Sequence, residues 1–264
     1  MNIFMRELRA NFKSLLIWSG ITILFSMVGF SKFSAFYQNP DLLVVLDSMP
    51  PSLLQALNMN AFNLTSVTGF FGIMVIYCSL ILTISAAMWG SDIISKEERD
   101  KTVEFSLTLP VPRAQLISAK FAAAAVNCAL LLLVTWGITL LGAQNYQPDA
   151  TFYDFVAVSM RSFALLQLIF LSLGILLGCA MKQHKRAGSL AVSILLVSYF
   201  ISIIIGLDEQ LQFLRYVTPF KYFDAAGLLR NLSLDPTYVI LSLGISIGFT
   251  AAAYFTYQKR DMYL

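Results

Sequence analysis

The sequence predicts an all-α, polytopic membrane protein with six transmembrane helices, and three observations carry that prediction. Hydrophobic residues make up 58% and charged residues 12% of the 264, against roughly 45–50% and about 25% in soluble domains. Six apolar runs, at about residues 15–36, 67–89, 121–143, 155–181, 187–206 and 237–258, are long enough to cross a hydrocarbon core of roughly 30 Å, which takes about 20 helical residues. The bases fall in alternate connecting segments, as they do when a chain threads back and forth across a bilayer. Residues 1–264 read as a single transmembrane domain.

Residues 1–14, MNIFMRELRANFKS, place Ile3, Met5, Leu8 and Phe12 near one side, with Arg6, Arg9 and Lys13 flanking them. The pattern predicts an N-terminal amphipathic helix lying in the membrane interface; a tail held by lipid charge is the plainer alternative. The first apolar run is too long for a signal-peptide core and carries Lys32 near its end, so it reads as a retained span. Before the second run, Pro50 and Pro51 precede Leu53, Leu54 and Leu57, the start of a short helix at the outer interface.

Residues 90–120, GSDIISKEERDKTVEFSLTLPVPRAQLISAK, form the longest charged stretch, with five acids and five bases. Ser95 and Glu98 have the spacing of a capping box, predicting a helix from Lys96, and Glu97 and Lys101 form a favourable i,i+4 pair. Pro110 ends that helix and Pro112 starts another running into the third span. Balanced charge makes the segment a poor patch for anionic lipid, which calls for uncompensated bases. A self-structured surface of this kind suits docking to a protein; a solvated loop that merely orients the chain is the simpler reading.

The fourth run contains Arg161, a charge inside a span and so a functional candidate, although at its depth the side chain can also snorkel to the headgroups or pair with Asp154. Gly174, Gly178 and Ala122 to Ala125 suit close helix packing. Between the fifth and sixth runs, residues 207–238 are too charged to span yet rich in Phe, Tyr and Leu. Phe220, Phe223, Ala226 and Leu229 recur at helical spacing after Thr218-Pro219, predicting two short interfacial or re-entrant helices around a proline break.

Thirteen of the eighteen Lys and Arg residues lie on the side of the two termini. The positive-inside rule makes that side cytoplasmic, and this sidedness explains the net charge of +3 without nucleic acid. Cys78, Cys128 and Cys179 sit in separate apolar runs, as small hydrophobes do. No Gly-rich phosphate loop, His-Glu-x-x-His or Gly-x-Ser-x-Gly motif occurs. No metal site or catalytic centre is therefore expected.

The run Glu97, Glu98, Arg99, Lys101, Thr102, Glu104, Leu107, Pro110, Val111, Arg113 and Lys120 resembles the cytoplasmic segment of ATP-binding-cassette (ABC) exporter permeases of the type-2 class. There an acidic cluster precedes a Gly-Thr pair, Glu, leucines, a Leu-Pro-Val turn, Arg, and Lys at the third span. Lys101 stands where glycine is common, and Pro112 where a small or hydroxyl residue is common. The resemblance covers essentially the whole chain. It implies a coupling helix in 90–120 whose residues from Glu97 to Arg113 contact a separate ATPase, and an outer gate near Pro219, Phe220 and Phe223. It further implies two ATPase subunits that carry ATP and Mg, a second or homologous permease, no cofactor or nucleotide site on this chain, and a bacterial plasma membrane. Apolar spans suit export of an amphiphile such as a drug, an antimicrobial peptide or a lipid. The competing reading is a non-transporting scaffold or sensor that recruits a cytoplasmic partner through 90–120.

Overall fold

The computed structural model describes residues 3–37, 39, 48, 50, 62–99, 111–181, 184–207 and 209–259, and their side chains except those of 97–99, 184–185 and 209. The helices in chain order are α1 (Ile3–Phe33), α2 (Val67–Arg99), α3 (Arg113–Ala143), α4 (Ala150–Ala180), α5 (His184–Leu207), α6 (Pro219–Tyr222), α7 (Ala225–Asn231) and α8 (Pro236–Lys259). Short 3-10 helices cover Gln144–Tyr146 and Glu209–Tyr216. No strand occurs among the described residues. α1 to α5 and α8 supply six helices long and apolar enough to cross a membrane, and each covers all or most of one predicted run, those at 15–36 and 155–181 extending three residues and one residue past their helices.

α4 is the central helix. It packs most extensively on α2, with α8 on another side, while α1 lies along α3 and α5 along α2. The apolar window of α4 is 67% buried, against 17% for α1, α5 and α8. The outer helices therefore turn apolar side chains such as Ile17, Leu24, Val197 and Ile247 outward, which is stable where the surroundings are lipid.

Glycines set the α2–α4 distance. A Cβ on Gly174 would stand 2.5 Å from the Ala87 carbonyl oxygen and 2.9 Å from the Ser91 nitrogen, and a Cβ on Gly90 would strike the Leu171 carbonyl in return. Each glycine thus sits over a turn of the other helix. Gly178 extends the contact to Ser91 and Ile94. Ser79, Thr83, Ser85 and Ser91 lie on α2 with their hydroxyls bonded to carbonyls of their own helix, so the tight seam holds small polar residues without leaving these donors unpaired.

Three elements differ from expectation. Residues 3–33 form one continuous helix rather than an interfacial helix followed by a span, because no proline or other breaker interrupts Ser14-Leu15. Along it Met5 and Phe12 are 51% and 55% exposed, as an apolar face toward lipid would be, whereas Glu7 and Asn11, for which no inward role was expected, are 1% and 7% exposed. Second, Ser95 is not a cap. α2 runs unbroken to Arg99, Ser95 is buried inside it, and the backbone needs no side-chain acceptor at that point. Third, the helix predicted through Phe220 and Leu229 is split, because the Asp224 carboxylate accepts from the Gly227 N–H and starts α7 afresh. Pro112 does precede a helix continuous with the third span. The pattern at Pro50 to Leu57 lies largely outside the described residues.

Candidate functional site

At one end of the bundle the start of α1, the end of α2 and the start of α3 meet around buried charge. Glu7, Asn11 and Ser14 recur at i, i+4 and i+7 of α1, which puts them on one helix face. The Glu7 carboxylate forms ion pairs with Lys96 of α2 and, at 3.2 Å, with Arg6. Lys120 of α3 is 1% exposed; its ammonium donates to the Ile93 carbonyl of α2 at 2.8 Å and lies near enough to attract Glu7. About two turns toward the middle of the bundle, the Trp89 indole N–H donates to the Ser14 hydroxyl at 2.8 Å.

Three helices are thereby tied by opposite charges removed from solvent. Burying an ion is costly unless it is paired and hydrogen-bonded, and removing one partner of such a pair typically costs about 3–5 kcal/mol. Geometry at this end is therefore tightly specified. The neutral Trp89–Ser14 bond contributes less: Ser14→Ala is expected to lower stability by about 1 kcal/mol, read from thermal unfolding of the purified protein.

Beside the cluster opens a cavity of about 680 Å³ between α1, α2 and α5. Trp18, Met88 and Trp89 give it apolar walls, while Asp92, Ser95 and Ser189 supply polar groups. Its volume and lining are those of sites that take a small organic molecule.

The predicted contact residues divide. Glu97, Glu98 and Arg99 complete α2, which carries them past the buried cluster, and their side chains lie outside the described set. Lys101, Thr102, Glu104, Leu107 and Pro110 lie outside the described residues. Arg113 opens α3 and donates to the Tyr257 and Gln258 carbonyls at 3.3 and 3.2 Å, where a cation complements the negative end of α8.

At the opposite end Pro219 occupies the first turn of α6, and Phe220 and Phe223 are 8% and 5% exposed. Phe220 packs on Phe170 and Tyr199 at ring distances of 5.4 Å each. Thr218, fully buried, donates to the Ser198 carbonyl at 2.7 Å. Thr218→Val should leave that carbonyl with one partner fewer and lower stability by about 1 kcal/mol, measurable by thermal unfolding. Arg161 is exposed on α4.

Sequence reasoning missed Glu7 and the burial of Lys120. Glu7 is the first acid in the chain and stands among bases, and Lys120 precedes Ala123, Ala124 and Asn127 on what becomes the buried face of α3. Those spacings were the available signal.

Six apolar helices around a small-residue seam, with charge turned inward at one end, define a multi-pass α-helical membrane protein. A family model described as "ABC-2 family transporter protein" matches residues 1–262. The chain belongs to the ABC-2 transporter family and is a membrane-spanning transporter component, of a kind typically paired with ATPase subunits. A search among curated proteins found no match.

Proposed function

We propose that this chain is the permease subunit of an ATP-driven exporter, moving an amphiphilic substrate out of the cytoplasm. The observation that carries the reading is the buried junction of Glu7, Lys96 and Lys120, which ties the end of α2 to α1 and α3. A helix fixed in this way acts as a lever. Force applied near Glu97 to Arg99, or on the segment between Arg99 and Arg113, passes into three spans together.

In this reading two separate ATPase subunits hold ATP and Mg and dock on the 90–120 segment, while this chain has no nucleotide site of its own. A second permease, identical or homologous, completes the complex along apolar faces such as those of α1 and α5. Both termini face the cytoplasm of a bacterial cell, in keeping with the basic residues at that end. ATPase closure shifts the population between inward-open and outward-open arrangements. The cavity beside Trp18, Trp89 and Asp92 then lies at the inner side, where an amphiphile can place a ring or chain on the indoles and a polar group near the serines. Pro219, Phe220 and Phe223 lie at the outer end, in the position of a gate.

Proteoliposomes containing the chain with its ATPase test the proposal. ATP-dependent movement of a fluorescent amphiphile is expected, with Trp18→Ala or Trp89→Ala reducing the rate several-fold. ATPase binding with no flux would favour the scaffold or sensor reading.

A further inference from the structure

A second groove, of about 340 Å³, lies between α3, α4 and α8, away from the junction. Phe121, Leu168, Leu243, Ile247, Ala251 and Tyr254 line it. The hydroxyls in its wall are already committed, since Ser246 donates to Ser242 and Thr250 donates to Ser246 within α8. Leu243 and Ile247 are 41% and 68% exposed, so the groove opens sideways from the bundle. It runs from the middle of α8 to the last turns of that helix, or half the thickness of the spanning region.

Its end is basic. The Ser118 and Tyr254 hydroxyls share a hydrogen bond of 2.6 Å across the mouth. Arg113 is held on the final carbonyls of α8. Lys259 sits in the same last turns, its ammonium 4.0 Å from the centre of the Phe255 ring. Arg113 thus stands where a headgroup would lie if a chain occupied the groove, whereas Lys259 lies on another face of α8, over Phe255.

We propose that this groove binds one anionic phospholipid, an acyl chain between α3, α4 and α8 and its phosphate beside Arg113. An apolar trough open to the bilayer selects a hydrocarbon chain over water, and the Arg113 guanidinium selects negative charge in the headgroup. Arg113 also begins α3 immediately after Pro112. Occupancy therefore fastens the base of that segment to the membrane surface. The site requires only that the helices span a bilayer, independently of any ATPase.

The test uses the purified full chain, with native mass spectrometry to count retained lipid and thermal unfolding to read its effect. Phosphatidylglycerol should remain bound through delipidation and raise the unfolding midpoint more than phosphatidylcholine. Ala251→Trp and Ile247→Trp, both at exposed positions, should abolish retention. Arg113→Gln should weaken the preference for phosphatidylglycerol by about five-fold, and Lys259→Gln, on another face of α8, should change it less. Inorganic phosphate and glycerol phosphate, which lack chains, should leave the midpoint unchanged. Equal retention of the two lipids by the unaltered chain, retention undiminished in both tryptophan variants, or a shift caused by phosphate alone would overturn the proposal.

Discussion

Replacing Gly174 with leucine is expected to prevent the native α2–α4 packing and to remove most of the folded protein recovered from membranes. Even alanine at this position would carry its Cβ to 2.5 Å from the Ala87 carbonyl oxygen and 2.9 Å from the Ser91 nitrogen. Neither atom belongs to a flexible side chain, so the helices themselves must separate. Overpacking costs typically about 1–3 kcal/mol where side chains can adjust, and a backbone contact between the two most extensively packed helices leaves less room for that. Gly174→Ala should thus be destabilised by about 3 kcal/mol and Gly174→Leu by more. Gly137→Ala is the control, since a Cβ there meets nothing within 4 Å. Size-exclusion profiles and thermal unfolding in mild detergent read the series. Wild-type behaviour of Gly174→Leu would show that the two helices do not meet at these glycines.

The second large effect is expected at Glu7. Glu7→Gln leaves Lys96 without its carboxylate partner and removes the negative charge near Lys120, a loss of about 3–5 kcal/mol for a buried pair. Glu7→Lys is worse, because it adds a fourth cation to Arg6, Lys96 and Lys120. Lys96→Glu alone should be similarly damaging. Joining Glu7→Lys with Lys96→Glu restores opposite charges on α1 and α2, and most of the stability should return. That recovery separates a specific charge interaction from a general intolerance of substitution. Additive losses in the double variant would sink the ion-pair assignment.

The spans were legible in the sequence because length and hydropathy are nearly sufficient to define a membrane helix. Gly174 and Gly178 were legible too, as small residues where backbones approach closely. The ends of the helices were not. Ser95 and Glu98 match a capping pattern, yet a cap forms only where the backbone leaves the helix. Nothing between Trp89 and Arg99 makes it leave, and packing of Ser91, Ile93, Ile94 and Ser95 against the bundle holds the helix on.

Glu7 was hidden for a related reason. A polar stripe on an amphipathic helix reads as the solvent side, and the pattern of residues 1–14 says nothing of a bundle packed against it. In a helix that continues into a span the preference reverses, with Phe12 exposed where lipid can receive it and Glu7 and Asn11 turned toward α2 and α3. The partners that make this tolerable, Lys96 and Lys120, come from residues about 90 and 110 positions away. Periodicity within one segment carries no information about them. The contact surface proposed for residues 97–113 falls mostly outside the described residues.

Drive through the end of α2 is tested most directly by the triple charge reversal Glu97→Lys, Glu98→Lys, Arg99→Glu, assayed with the co-expressed ATPase. These positions extend past the buried cluster, so membrane insertion and the unfolding midpoint of the chain should stay near wild type. Co-purification of the ATPase and its stimulation by the permease should fall to background. Full stimulation of a co-purified ATPase by the triple variant would contradict docking at this segment.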